Sequence, residues 1–315
     1  MSKYRKRLPQ LGNSLFVTDG GLETTLVFHE GRDLPCFAAF DLLKDDEGIA
    51  TLRRYYDRYL ELAREHGLGA ILEAPTWRAN PDWAAKVGYD AVSQDDANRK
   101  AIGLMLELRQ AYETPATPMV ISGNVGPRAD GYRVEAQMSA SDAQRYHSRQ
   151  IETFAATDAD FVSAFTINYT GEAVGIVNAA REARIPVVMS FTVETDGRLP
   201  SGEALGDAIR HTDDETGGYA AYYMLNCAHP THFHGVLGSG DGWQSRIRGL
   251  RANASRLSHA ELDECTELDR GNPDELGLQY RLLREQLPNL TVLGGCCGTD
   301  HQHVDAIIRV CGLAA

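Results

Sequence analysis

Short apolar runs alternate along the chain with longer stretches whose apolar residues recur every three or four positions. The runs predict strands at 15–19, 70–73, 119–122, 161–165, 186–191, 222–225, 246–250 and 290–293. The fifth, Pro186-Val187-Val188-Met189-Ser190-Phe191, has the continuous apolar content of a strand buried on both faces. The seventh, Arg246-Ile247-Arg248-Gly249-Leu250, carries the weakest pattern. Between the runs, Ile49, Leu52, Tyr56, Tyr59, Leu60 and Ala63 form one face of a helix that Gly67 should stop. Similar stripes run through Ala97, Ala101, Leu104, Met105 and Leu108, and through Leu276, Tyr280 and Leu283, where Pro273 suits a first helical turn.

Eight strands alternating with helices over this length fit a single (β/α)8 TIM barrel of the α/β class better than an open doubly wound sheet. Residues 1–12 read as an N-terminal tail and 13–315 as the barrel. No long linker, low-complexity run or internal repeat divides them.

Composition narrows the function without naming it. Of 315 residues, 43% are hydrophobic and 24% charged, ordinary values for a globular protein with a large core. A net charge of −13 with dispersed Lys and Arg disfavours nucleic acid or an anionic membrane as partner. The basic stretch Lys3-Tyr4-Arg5-Lys6-Arg7 leads into Leu8-Pro9-Gln10 rather than an apolar run, so no secretion signal is expected. No segment is long and apolar enough to span a membrane. Six cysteines in a chain this long do not form a disulfide framework, and a reducing, cytoplasmic setting follows. Neither Gly-rich stretch has the spacing of a dinucleotide or phosphate loop. A small-molecule enzyme, with room for homo-oligomer formation, is the expectation.

The candidate chemistry lies in Asn226-Cys227-Ala228-His229-Pro230 and in Gly294-Gly295-Cys296-Cys297-Gly298-Thr299. Three thiolates can hold a zinc ion and leave its fourth position open, an arrangement for chemistry rather than for a local finger. Cys227, Cys296, Cys297 and Asp19 each fall at or just past the end of a predicted strand, on the rim where such barrels carry their active sites. Three thiolates bring the formal charge of the site to −1, which suits a bound, electron-rich thiolate better than a bound hydroxide. Two alternatives stand beside this reading. A barrel zinc hydrolase would want His or carboxylate ligands, and a structural or metal-buffering protein would close the site, with His229 as a fourth ligand. Cys36, Cys265 and Cys311 read as buried small hydrophobes, and His232, His234, His301 and His303 as surface residues.

Asp19-Gly20-Gly21-Leu22-Glu23-Thr24, Ser190-Phe191-Thr192-Val193 with Gly197-Arg198-Leu199 and Ser201-Gly202-Glu203, Asn226-Cys227, and Gly294-Gly295-Cys296-Cys297-Gly298-Thr299 together resemble the zinc-dependent homocysteine S-methyltransferases, in order over nearly the whole chain. The resemblance implies a barrel, a Cys227/Cys296/Cys297 zinc site, and methyl transfer from a sulfonium or ammonium donor to a thiol such as homocysteine, giving methionine. It also implies that Asp19 and Gly20 face the amino-acid substrate and that Asn226 serves the site beside Cys227.

Phe165 departs from the pattern, which has at that position a Glu that holds the substrate amino group. Glu73, at the end of the second strand, is the candidate replacement. A methylated cation should meet aromatic faces, and Phe28, Trp77 and Tyr169 lie near strand ends. The chain ends 18 residues after Cys297, without the extension expected of the betaine-using branch, so a donor like S-methylmethionine or S-adenosylmethionine is expected.

Overall fold

In the computed structural model, which describes residues 2–134, 136–239 and 242–312, eight strands close into a parallel barrel in chain order. They are β1 (Phe16–Val17), β2 (Gly69–Glu73), β3 (Met119–Val125), β4 (Phe161–Ile167), β5 (Val187–Phe191), β6 (Tyr222–Asn226), β7 (Ile247–Ala252) and β8 (Val292–Gly295). Closure is made where β1 pairs with both neighbours: Phe16 lies opposite Gly69 of β2 and Val292 of β8. The open-sheet alternative is thereby excluded.

The strands are buried on both faces, and the two faces form separate cores. Inside the barrel, Phe16, Ile71, Val120, Phe161, Val188, Tyr222 and Val292 pack together, with Leu8 and Tyr4 of the N-terminal segment against them. That segment is anchored by Arg5, whose guanidinium donates to the carbonyls of Ala155, Thr157 and Ala159. Outside, helices cover the strands. The helix Asp46–Glu65 starts where the Asp45 carboxylate accepts from Gly48 N, and it buries Leu52, Tyr55, Tyr56, Tyr59, Leu60 and Ala63. Gly67 follows it with φ of 63°, the left-handed stop its position predicts. Burying a large apolar side chain contributes about 1.5–3 kcal/mol, so this stripe, rather than helix propensity, fixes the helix on the barrel.

The strand ends differ from the sequence pattern in ways that matter for the site. β1 has two residues, because the chain turns out of the sheet before Asp19-Gly20-Gly21. β7, the weakest run in the sequence, is six residues long, because Arg251 near its end finds partners inside the barrel. β8 lies two residues later than its apolar run and delivers Gly294-Gly295 directly to the cysteine pair. After β6 come the short helix Pro230–Phe233, a 3-10 stretch at His234–Ser239 and a 3-10 turn at Trp243–Arg246. Among the described residues no helix is long and apolar enough to cross a membrane.

Candidate metal centre

Cys227 immediately follows β6, and its φ of 54° places a non-glycine residue in the left-handed region. A conformation of this kind costs about 1–3 kcal/mol and persists only when its surroundings hold it. Here they do. Cys227 N donates to the Arg251 carbonyl at 3.1 Å. The Cys227 carbonyl accepts from Asn253 Nδ2 at 3.0 Å and lies 2.7 Å from His259 Nε2. His259 in turn stands 3.0 Å from Glu194 Oε1 and stacks on Tyr132, ring centroids 4.0 Å apart.

The cysteine pair is fixed from β7 and from its own turn. Cys296 N donates to the Ala252 carbonyl at 2.8 Å, and the Cys296 carbonyl accepts from Thr299 Oγ1 at 2.7 Å. Gly295 is required for this turn, since a Cβ there would overlap Thr299 Oγ1.

The three sulfurs converge within 4.8 Å of one another. Cys227 and Cys296 are joined as a disulfide in this structure, and Cys297 Sγ lies 3.9 Å from Cys227 Sγ. Sulfurs at ~2.3 Å from one tetrahedral zinc ion stand about 3.8 Å apart, which the Cys227–Cys297 separation matches, so the donor set suits a single such ion once the Cys227–Cys296 disulfide is reduced. No fourth metal-ligating side chain joins the group among the described residues. His229 is turned away, with Nδ1 2.8 Å from Thr231 Oγ1, and burial pushes its pKa down to about 4. Burial also pushes the Cys297 thiol up, with the Tyr132 hydroxyl, 3.5 Å away, working against that rise.

The cluster opens into a cavity of about 500 Å³ that reaches from the sulfurs across the barrel mouth. Asp19, Gly20, Glu73, Trp77 and Asn226 all line it. Tyr169 is not among its lining residues; its hydroxyl accepts from Met138 N at 3.0 Å. Asp19 is already engaged, with Oδ1 accepting from Arg251 Nη1 at 2.6 Å and Oδ2 from the Tyr55 hydroxyl at 2.9 Å. Arg251 also donates to the carbonyls of Gly20 and Gly295 and lies 5.1 Å from the Phe165 ring centroid. Burial opposes its charge, yet Asp19 and Glu73 hold its pKa above the ordinary guanidinium value.

Asn226 is equally committed: Oδ1 accepts from Thr166 N and Ser190 Oγ, and Nδ2 donates to Thr166 Oγ1. It thereby fixes Thr166 at φ of 62° beside the cavity. Glu73 Oε2 accepts from Ser163 Oγ at 2.5 Å, and burial pushes its pKa up to about 7. Glu23, half-buried in the cavity wall, is pushed up to about 7 by the same cause.

Several of these residues escaped the sequence pattern. Arg251 and Arg78 were the available signals, one a charge immediately after a predicted strand run and the other a charge between two tryptophans. The reading of the remaining cysteines needs correction: Cys311 is buried, but Cys36 and Cys265 are exposed. So does that of the histidines. His303 is fully buried between Asp300 and the Arg270 carbonyl, and His232 is buried against the Arg256 carbonyl.

Fold and site define a barrel enzyme with a cluster of three cysteines at the C-terminal rim of its strands, open to a cavity of substrate size. A profile of the homocysteine S-methyltransferase family matches residues 16–311, and the chain belongs to that family. Its enzymes are S-methyltransferases acting on homocysteine or a related thiol. Among solved structures, the chain is similar to the oxidized form of the homocysteine methyltransferase MmuM from Escherichia coli, at 19% identity and a TM-score of 0.75 over 98% of this chain and 99% of that one. The metallated form of the same protein matches at 20% identity and a TM-score of 0.73, over 97% and 99%. At such identities the likeness concerns the fold.

Proposed function

We propose that the protein transfers a methyl group from a cationic sulfonium or ammonium donor to homocysteine held at a zinc ion, giving methionine, in the cytoplasm. The observation that carries this reading is the convergence of Cys227, Cys296 and Cys297 on one point at the wall of a substrate-sized cavity. When bound by these three sulfurs, zinc would take the substrate sulfur at its open position and keep it deprotonated and nucleophilic at neutral pH.

The residues of the chain do the rest. Glu73 stands in for the carboxylate that Phe165 lacks and holds the substrate ammonium, while Asp19 acts through its pair with Arg251 to set the cavity floor. Asn226 positions Cys227 and the β4 end without touching the reacting atoms. The thiol proton leaves to solvent, a sulfur lone pair forms the new S–CH3 bond, and the donor's S–CH3 or N–CH3 bond breaks to leave a neutral thioether or amine. Orientation supplies much of the acceleration, since no protein group is alkylated.

A donor such as S-methylmethionine or S-adenosylmethionine suits the cavity, which presents Phe28, Phe37 and Trp77 beside Glu23, Asp263 and Glu267. Zinc analysis, sulfur K-edge spectroscopy with and without homocysteine, and a donor panel read by mass spectrometry test the reading. A fourth sulfur ligand on adding homocysteine and methylated thiol from a sulfonium are expected. A closed site that gains no sulfur would remove it, and water activation in place of thiol methylation would point to a hydrolase.

A further inference from the structure

Arg78 is a buried cation without an ion pair among the described residues. It is 7% exposed and lines the same cavity as the three cysteines. Its guanidinium carbon lies 4.0 Å from the Trp77 ring centroid and 3.6 Å from that of Trp83. Both indoles are themselves fixed, Trp77 Nε1 donating to the Phe165 carbonyl and Trp83 Nε1 to the Ala129 carbonyl, each at 3.3 Å. The sandwich holds the guanidinium plane and leaves only its edges for hydrogen bonding.

One edge is taken, because Nη1 donates to the Ala129 carbonyl at 3.2 Å. The other is not. Nε is buried without a partner, and Nη2 makes no hydrogen bond among the described residues. Asp130 and Glu23 act on Arg78 only through space, and Asp130 Oδ1 is occupied by the backbone N–H groups of Tyr132 and Arg133. Burial accordingly pulls the Arg78 pKa down to about 10. A native buried donor left unmatched is destabilising, and a ligand that satisfies it recovers that loss. The free pair, Nε with Nη2, is the fork that a planar carboxylate accepts in bidentate fashion. Arg251, the other buried guanidinium of the cavity, is excluded from this role by its bonds to Asp19, Gly20 and Gly295.

We propose that Arg78 is the carboxylate-binding residue of the cavity, holding the α-carboxylate of an amino-acid ligand in its Nε–Nη2 fork. The proposal rests on the functional reading above only for the ligand's identity. Two sources of this group are available, the thiol acceptor and the sulfonium donor, and matched pairs of ligands separate them.

Calorimetric titration of the purified full-length chain compares homocysteine with 3-mercaptopropylamine, and S-methylmethionine with (3-aminopropyl)dimethylsulfonium, each pair differing only by the carboxylate. The wild type should favour the carboxylate member tenfold or more in at least one pair. Arg78→Met should reduce that ratio at least tenfold, and Arg78→Lys should retain part of it. The pair whose ratio collapses names the source. Because each ratio is taken within one variant, a general loss of affinity or stability does not imitate the effect. Unchanged ratios in Arg78→Met for both pairs, or a wild type indifferent to the carboxylate in both, would overturn the assignment. Failure of the functional reading shows elsewhere, as the absence of sulfur uptake at the metal.

Discussion

Asp19, at the end of β1, and Arg251, at the end of β7, form a buried ion pair of 2.6 Å across the barrel mouth, both side chains being at most 10% exposed. The Tyr55 hydroxyl takes the second Asp19 oxygen and Arg251 ties the carbonyls of Gly20 and Gly295. The turn that begins at Asp19 and the turn that carries Cys296 are therefore joined by one guanidinium.

Removing one partner of this pair should be far worse than removing both. Arg251→Met would leave the Asp19 charge buried and is expected to cost about 3–5 kcal/mol in urea denaturation. Asp19→Leu with Arg251→Met should recover most of that loss. A double variant no more stable than the single one would show that the ties from Arg251 to Gly20 and Gly295, rather than charge compensation, dominate.

Each of the three clustered cysteines should be needed for stoichiometric metal. Cys297→Ser is expected to cut zinc content several-fold and methyl transfer by at least about a hundredfold, with the circular dichroism spectrum preserved. Chelation should remove activity reversibly on adding zinc back. The exposed Cys36 and Cys265 serve as controls, and serine at either should leave zinc content unchanged.

The buried carboxyl of Glu73, pushed up to about 7 from an ordinary value of 4.5, makes stability depend on pH. A raised carboxyl favours the protonated form in the folded state, so its contribution is fully present below about pH 4.5 and is lost as pH rises towards and through about 7. Glu73→Gln should therefore gain on the wild type over that window, by up to about 3 kcal/mol at pH 8. The same variant should lose affinity for homocysteine but not for 4-mercaptobutyrate, which has no amino group. Chemical denaturation at several pH values and calorimetry check the two effects separately.

Gly295→Ala tests the geometry of the cysteine turn. The added methyl would overlap Thr299 Oγ1, which holds the Cys296 carbonyl. Overpacking of this kind costs about 1–3 kcal/mol, and zinc content should fall with it. Thr299→Ser in the same chain keeps that oxygen and should not rescue the variant; Thr299→Ala removes it and should recover part of the stability.

Most of the architecture was legible in the chain because it rests on local periodicity. Eight apolar runs separated by helical stripes become eight strands and their covering helices, and the Gly67 stop and the Pro273 helix start fall where the residues place them. The cysteine triad was legible for a related reason: thiols are scarce, and three of them past strand ends on a barrel share one rim.

What the sequence could not determine is which charges meet. Arg251 lies 232 residues from Asp19, and neither position carries a local sign of the other. The closed barrel brings β1 and β7 to either side of β8. Arg78 looks like a surface charge until Trp77 and Trp83 enclose it, and Tyr169 looks like a cavity residue until its hydroxyl turns to Met138. Apolar burial follows from residue type and spacing, which each segment carries for itself. The pairing of buried charges follows from distances across the barrel, and those exist only once all eight strands have closed.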